Sequence, residues 1–266
     1  MPNELIKFWQ QCKLDKPPFA HPDDLPTLGK NDGKFIHLEP MNFCSFIASP
    51  RFGDSEDKRL HLSLLPVPYL GDLDHATIVI LDLNPGLEYT DYWAETKMPA
   101  LQRRLMDNLQ QSFEGVEFPF LFLDPEFCWH TGFIYWEKRL RSVIKRIAAK
   151  EFKNSYFDAL RDLSRKLAYV ELVPYHSCSF DDRILRDRLA SVQRALDYAR
   201  KSLIPDAIEG KRTLIVPRHT KVWTEAWGSP PNNEYLVVYP REQAQAASLG
   251  PNSPGGEAIL RSYGVG

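Results

Sequence analysis

Residues Thr77 to Leu83 read Thr-Ile-Val-Ile-Leu-Asp-Leu, and the run stops abruptly at Asn84-Pro85-Gly86. A β-branched apolar stretch of this length predicts a fully buried strand ending in a turn. Pro85 fixes φ and withholds a backbone donor, while Gly86 lets the main chain come close to a ligand. Asn84 is thereby placed at the carboxyl end of a strand, the edge at which ligands bind in open α/β sheets. Taken alone, Asn-Pro-Gly is also an ordinary strand-to-helix turn.

The rest of the chain repeats the alternation. Strands are predicted at Tyr169–Val173, stopped by Pro174-Tyr175-His176-Ser177, at Thr213–Val216, broken by Pro217-Arg218-His219, and at Tyr235–Tyr239. Leu60–Leu65, closed by Pro66 and Pro68, suits an edge strand. Helices are predicted at Glu4–Cys12, Met98–Phe113, Tyr135–Phe152, Tyr156–Leu167, Arg183–Ser202, Lys221–Ala226 and Glu257–Ser262. In the third of these, Trp136, Leu140, Val143, Ile144 and Ile147 form the apolar stripe. Strands separated by helices require crossover connections, which implies an α/β fold: a three-layer αβα arrangement around a central, mainly parallel four-stranded sheet. Residues 1–57, with turn signals at Lys16-Pro17-Pro18 and Asn31-Asp32-Gly33, read as an N-terminal extension packed on the core. Apolar clusters at Phe35-Ile36 and Met41-Asn42-Phe43 argue against disorder there. Residues 58–266 form the α/β domain.

The start of the chain lacks a basic, long apolar leader and no run reaches membrane-span length, so a cytoplasmic protein is expected. Cys12, Cys44, Cys128 and Cys178 form no Cys-x-x-Cys pair, and they are expected reduced and mostly buried, with no metal site and no cofactor. The net charge of −2 conceals an asymmetry: Tyr135–Lys221 holds 20 lysines and arginines against 11 acids, and the remainder 13 against 24. A cationic stretch of that kind suits a phosphate-facing surface, and equally suits amphipathic helices with solvated basic faces. The P-loop, the Gly-x-Gly-x-x-Gly fingerprint and the Gly-x-Ser-x-Gly elbow are all absent, which demotes NTPases, dinucleotide oxidoreductases and α/β hydrolases.

The order that remains is an apolar strand into Asn84-Pro85-Gly86, a strand into Pro174-Tyr175-His176-Ser177, and a late loop Asn252-Ser253-Pro254-Gly255-Gly256 ahead of a helix. Over about Ile78 to Gly256 this resembles the uracil-DNA glycosylase superfamily, closest to its mismatch-specific thymine/uracil branch. The resemblance implies a DNA-binding monomer in which Asn84 orients the water that attacks the sugar carbon, and Gly86 leaves room for a bulky base. Tyr89, Tyr92 and Trp93 become candidates to stack on that base, with core or rim packing as the alternative for each. Glu171 falls where many members carry an asparagine that reads uracil. A carboxylate only accepts hydrogen bonds, so it suits the exocyclic amine of cytosine, although a strand-end carboxylate paired with an arginine reads the same way. His176 could donate to the departing base or to a phosphate, or cap a turn. Arg218 and His219 are candidates for phosphate or base contact. The late loop would present backbone N–H groups, Gly255 among them, with Asn252 and Ser253, to a DNA phosphate at a helix N-terminus. Leu249 is a candidate wedge into the base stack. Tyr239-Pro240-Arg241 departs from the His-Pro-Ser of several branches, which leaves stabilisation of the leaving group open.

The expectation is thus a monofunctional DNA glycosylase that excises a damaged or modified base by base flipping. A modified cytosine in foreign phage DNA, hence antiviral defence, is the sharper version, and repair of deaminated bases the conservative one. A non-catalytic modified-base binding module of the same fold and a nucleoside or nucleotide hydrolase are the alternatives.

Overall fold

A computed structural model describes residues 3–30, 36, 41–187, 189–228, 233–244 and 246–265. The expected Asn31-Asp32-Gly33 turn, Phe35 and residue 188 of the expected long helix lie outside the described residues. The helices, in chain order, are α1 (Glu4–Gln10), α2 (Leu25–Gly29), α3 (Phe43–Ile47), α4 (Tyr89–Lys97), α5 (Pro99–Gln110), α6 (Thr131–Glu151), α7 (Tyr156–Lys166), α8 (Ala190–Tyr198), α9 (Ile204–Ile208), α10 (Thr220–Trp227), α11 (Arg241–Ala244) and α12 (Pro254–Ser262). The strands are β1 (Tyr69–Leu70), β2 (Ile78–Asp82), β3 (Leu167–Glu171), β4 (Thr213–Val216) and β5 (Leu236–Val238).

The protein is mixed α/β, and its strands form one five-stranded sheet in the order β1-β3-β2-β4-β5. Ile78 of β2 lies opposite Thr213 of β4, and Leu214 of β4 opposite Leu236 of β5, both pairs parallel. Five strands replace the expected four because β1 forms after Pro68. The edge strand expected at Leu60–Leu65 is instead a single bridge from Leu60 to Ile36 followed by a turn. Pro66 and Pro68 supply no backbone donor, so regular pairing begins only beyond the second of them.

The chain divides into two compact units, each assembled from separated segments. The first comprises Met1–Tyr69, Asn84–Ser112 and Glu171–Ala195. Its buried polar hub is Asp24, which accepts hydrogen bonds from the Tyr175 hydroxyl at 2.6 Å and the Ser191 N–H at 3.0 Å. Tyr175 Oη in turn accepts from the His21 N–H, so the N-terminal segment fixes the stretch that follows β3. Phe46, Leu64, Leu87 and Tyr92 form a small apolar core beneath α4.

The second unit comprises Leu70–Leu83, Phe113–Val170 and Leu196–Gly266. Every residue of β2 is buried, as the unbroken apolar run predicts. Trp136, Leu140, Val143, Ile144 and Ile147 line the buried face of α6, each contributing about 1.5–3 kcal/mol by leaving water. The helix begins four residues before the expected start at Tyr135, where His130 accepts the Gly132 N–H and caps it. The expected long helix over Arg183–Ser202 is broken into a 3₁₀ turn, α8 and a π-helical turn at Ala199–Leu203, beyond which α9 continues. Among the described residues no helix is long and apolar enough to cross a membrane.

Candidate functional site

β2 ends at Asp82, and Asn84 follows two residues later with its side chain half-buried. Its amide nitrogen donates to Ser177 Oγ at 2.9 Å and to its neighbour's carbonyl, Pro85 O, at 2.9 Å, with Tyr175 O at 3.4 Å. The two carbonyls offer lone pairs only, so the nitrogen end of the amide must be the end that faces them. Among the described residues no hydrogen bond reaches Asn84 Oδ1. The carbonyl end is a half-exposed, uncommitted acceptor on a clamped side chain.

The clamp joins two loops of the first unit. Ser177 N–H donates to Pro85 O, Gly86 and Ser177 form an isolated parallel bridge, and His176 Nδ1 lies 2.7 Å from Gly86 O. His176 Nε2 faces Leu65 O at 3.2 Å, and the ring is buried. Burial pushes the imidazole below its ordinary pKa, outweighing the two carbonyls that pull it up, so the ring is neutral at pH 7. Both nitrogens face backbone oxygens, of which the neutral ring, with a single N–H, can donate to one, and its burial between Leu65 and Gly86 corrects the expected role of His176 as a donor to a departing base. Gly86 itself is exposed, and a methyl group built on it meets nothing within 4 Å.

Tyr89, the first residue of α4, is 46% exposed, its ring 4.8 Å from that of Phe52, which is 45% exposed. The two rings form an exposed aromatic pair. Phe52 gave no signal in the sequence because it sits in the irregular Pro50-Arg51-Phe52-Gly53 connection. Tyr92 is a correction: it is buried, stacked on Phe46 at 4.5 Å, and its hydroxyl meets His61 Nδ1 at 2.9 Å. Packing with Phe46, Leu64 and Leu87 takes it into the core. Trp93 is half-buried. Glu171 is the buried last residue of β3, and its N–H donates to Pro68 O.

In the second unit the carboxylate of Asp82 is buried, and burial raises its pKa against the pull of Arg218, Arg139 and His219. Arg218 is half-buried after β4, and His219 is exposed in a left-handed conformation ahead of α10. Arg139 lies over the Tyr135 ring at 4.9 Å and donates to Ala247 O. Along the exposed face of α6, Lys138, Lys145 and Arg146 make no hydrogen bond or ion pair with any described residue.

The late loop overturns two expectations. Leu249 is 1% exposed, so it is a core residue and projects no wedge; the loop folds back and buries it. The first-turn amides of α12 are already satisfied, Gly255 N–H by Tyr239 Oη at 2.8 Å and Gly256 N–H by Ser253 Oγ at 3.2 Å. Ser253 is thus the cap of the helix, and its own proton goes to Gly250 O at 2.8 Å. The glycines answer to packing: a Cβ on Gly256 would lie 1.8 Å from Gly250 O. Asn252 is exposed beside a groove of about 480 Å³ lined also by Tyr239, Glu242, Gln243 and Ser248.

All four cysteines are free thiols, but only Cys12 is buried; Cys44 and Cys128 are exposed, which corrects the expectation of burial. Cys44 lies on the outer side of the one-turn helix α3 and Cys128 closes a 3₁₀ turn, so neither reaches a core. Among the described residues no cluster of three or more His, Cys, Asp or Glu side chains is gathered as a metal site. Comparison of the chain with family models, curated proteins and solved structures finds no match.

Proposed function

We propose that this chain is a monofunctional DNA glycosylase, built on the three-layer αβα plan of the uracil-DNA glycosylase superfamily, that flips out a modified or damaged base and hydrolyses its N-glycosidic bond. The observation that carries the reading is Asn84: an amide at the end of a buried parallel strand, fixed by its nitrogen, with its carbonyl oxygen free to accept from a water. An amide is too weak a base to take a full proton, so it orients the water while the bond breaks along an oxocarbenium-like path. The water oxygen bonds to C1′, the C1′–N bond opens, the pair leaves with the base, and the water's proton passes to solvent or the released base. No lysine lies between Asn84 and Trp93 to form a Schiff base, so the sugar is left intact.

The base class rests on Glu171, an acceptor suited to the amine of cytosine that is 1% exposed and so has to be uncovered to read a base, and on the open space at Gly86, which suits a substituted ring. In the first unit the exposed Tyr89–Phe52 pair provides a stacking surface, and in the second the exposed Lys138, Lys145 and Arg146 of α6 suit phosphate contact. The test is incubation of the purified protein with duplex oligonucleotides carrying uracil, mismatched thymine or 5-substituted cytosines, followed by alkali. Breaks are expected at the modified cytosine and are expected to fall about 10²–10³-fold in Asn84→Ala. A profile unchanged in Glu171→Gln removes the cytosine assignment.

A second reading, a modified-base binding module without hydrolysis, has its own support in His176, whose ring is spent on Leu65 and Gly86 and donates to no leaving group. Tight binding without breaks would favour it; consumption of mononucleotides alone would favour the nucleoside or nucleotide hydrolase.

A further inference from the structure

We propose that Ser177 is a positioning residue that anchors the Asn84 amide in the orientation set by the Pro85 and Tyr175 carbonyls; this deepens the glycosylase reading and rests on it. An asparagine side chain can turn over by half a rotation at little intrinsic cost, and in the turned state it would present N–H donors where an attacking water needs an acceptor. Two main-chain carbonyls oppose such a turn because they only accept, Tyr175 O at 3.4 Å and Pro85 O of the adjacent residue; the Ser177 hydroxyl, donor as well as acceptor, holds the side chain in place without choosing its end. Ser177 Oγ at 2.9 Å is the one side-chain contact, and it comes from 93 residues further along the chain. Ser177 is 2% exposed, so no water replaces its hydroxyl if it is removed. Its main chain is fixed independently, by the N–H bond to Pro85 O and the bridge to Gly86, so the loops stay zipped without the side-chain oxygen. The hydroxyl is thus separable from the fold: its removal takes away the side-chain anchor of the amide while leaving the two carbonyl contacts and the loops in place.

The experiment compares wild type, Ser177→Ala and Ser177→Thr with enzyme in excess over a duplex oligonucleotide carrying 5-hydroxymethylcytosine or uracil opposite guanine. Ser177→Ala is expected to slow single-turnover base release about tenfold, equivalent to about 1.4 kcal/mol, with the Kd for the same duplex within about twofold. Ser177→Thr, which keeps the hydroxyl, is expected to recover most of the rate. The Asn84 side-chain ¹⁵N–H₂ resonances, assigned by their loss in Asn84→Ala, provide a readout independent of turnover. Slow hydrogen exchange is expected in wild type, and faster exchange in Ser177→Ala. If Ser177→Ala does not fold, Ser177→Cys carries the comparison, since its thiol is a poor acceptor of similar size. An unchanged rate, or Asn84 amide exchange unaffected in Ser177→Ala, overturns the proposal. Wild-type protein inactive on both duplexes would instead count against the glycosylase reading, and the amide resonances alone would then decide whether Ser177 holds Asn84.

Discussion

Gly86→Ala separates what the fold requires from what a substrate requires. A Cβ at this position meets no atom within 4 Å, and the residue is not in the left-handed region, so alanine fits without strain. Replacing glycine in an alanine-compatible conformation reduces the freedom of the unfolded chain and stabilises by about 0.4–1 kcal/mol. For a chain of this size that raises the melting temperature by about 1–4 °C. A larger side chain in the same place, Gly86→Leu, still meets no protein atom near its Cβ, yet fills the space that a substituted base would occupy. Overpacking of a fitted site costs about 1–3 kcal/mol, so base release by Gly86→Leu should fall between about fivefold and 150-fold. Calorimetry and single-turnover release, measured on the same preparations, read the two effects separately. A melting temperature several degrees lower in Gly86→Ala would refute the description of the loop. Wild-type release by Gly86→Leu would refute the assignment of that space to the base.

Leu249→Ala should cost about 2–5 kcal/mol of stability, because a buried leucine is removed and a cavity remains. Unchanged stability with weakened DNA binding would restore the wedge that the structure removes. His176 has its pKa held below 6.5 by burial, so the unfolded chain takes up the proton first as pH falls. Its contribution to stability is full above about pH 6.5 and is lost below it, and wild type should lose more stability than His176→Gln between about pH 6.5 and 5. His21 shifts in the same sense and Glu95 in the opposite one, but both are common to the two proteins. Coincident slopes of melting temperature against pH would show that His176 does not titrate as described.

The elements legible in the sequence are those whose pattern is set by burial on a regular period. β2 and β4 read as unbroken apolar runs, and α5 and α7 fall within a few residues of their predicted bounds. α4 was not legible because its stretch, Tyr-Thr-Asp-Tyr-Trp-Ala-Glu-Thr-Lys, has only a weak apolar stripe; Asp91, which accepts the Glu88 N–H at 2.7 Å, helps to start the helix. The placement of Asn84 at a strand end was readable from Pro85 alone. Its orientation was not, since the groups that set it arrive from Tyr175 and Ser177. Leu249 and Tyr92 were misread for one reason: local sequence says that a residue is apolar or aromatic, while tertiary packing decides whether it faces solvent. His176 was misread because its two acceptors, Leu65 O and Gly86 O, lie about 111 and 90 residues away.

The Leu65 peptide lies between two titratable side chains: its N–H donates to Glu95 Oε2 at 2.9 Å and its oxygen faces His176 Nε2. Burial favours the uncharged form of each, raising the Glu95 carboxyl and lowering the His176 ring. The scaffold behind Asn84 is therefore held by dipoles rather than by ions, and dissolved salt has little to screen there. If the chain binds DNA as proposed, the exposed cations of α6 respond in the opposite way, since every phosphate neutralised releases a counterion. On that reading, added salt is expected to loosen capture of the polymer while leaving the aim of the amide untouched.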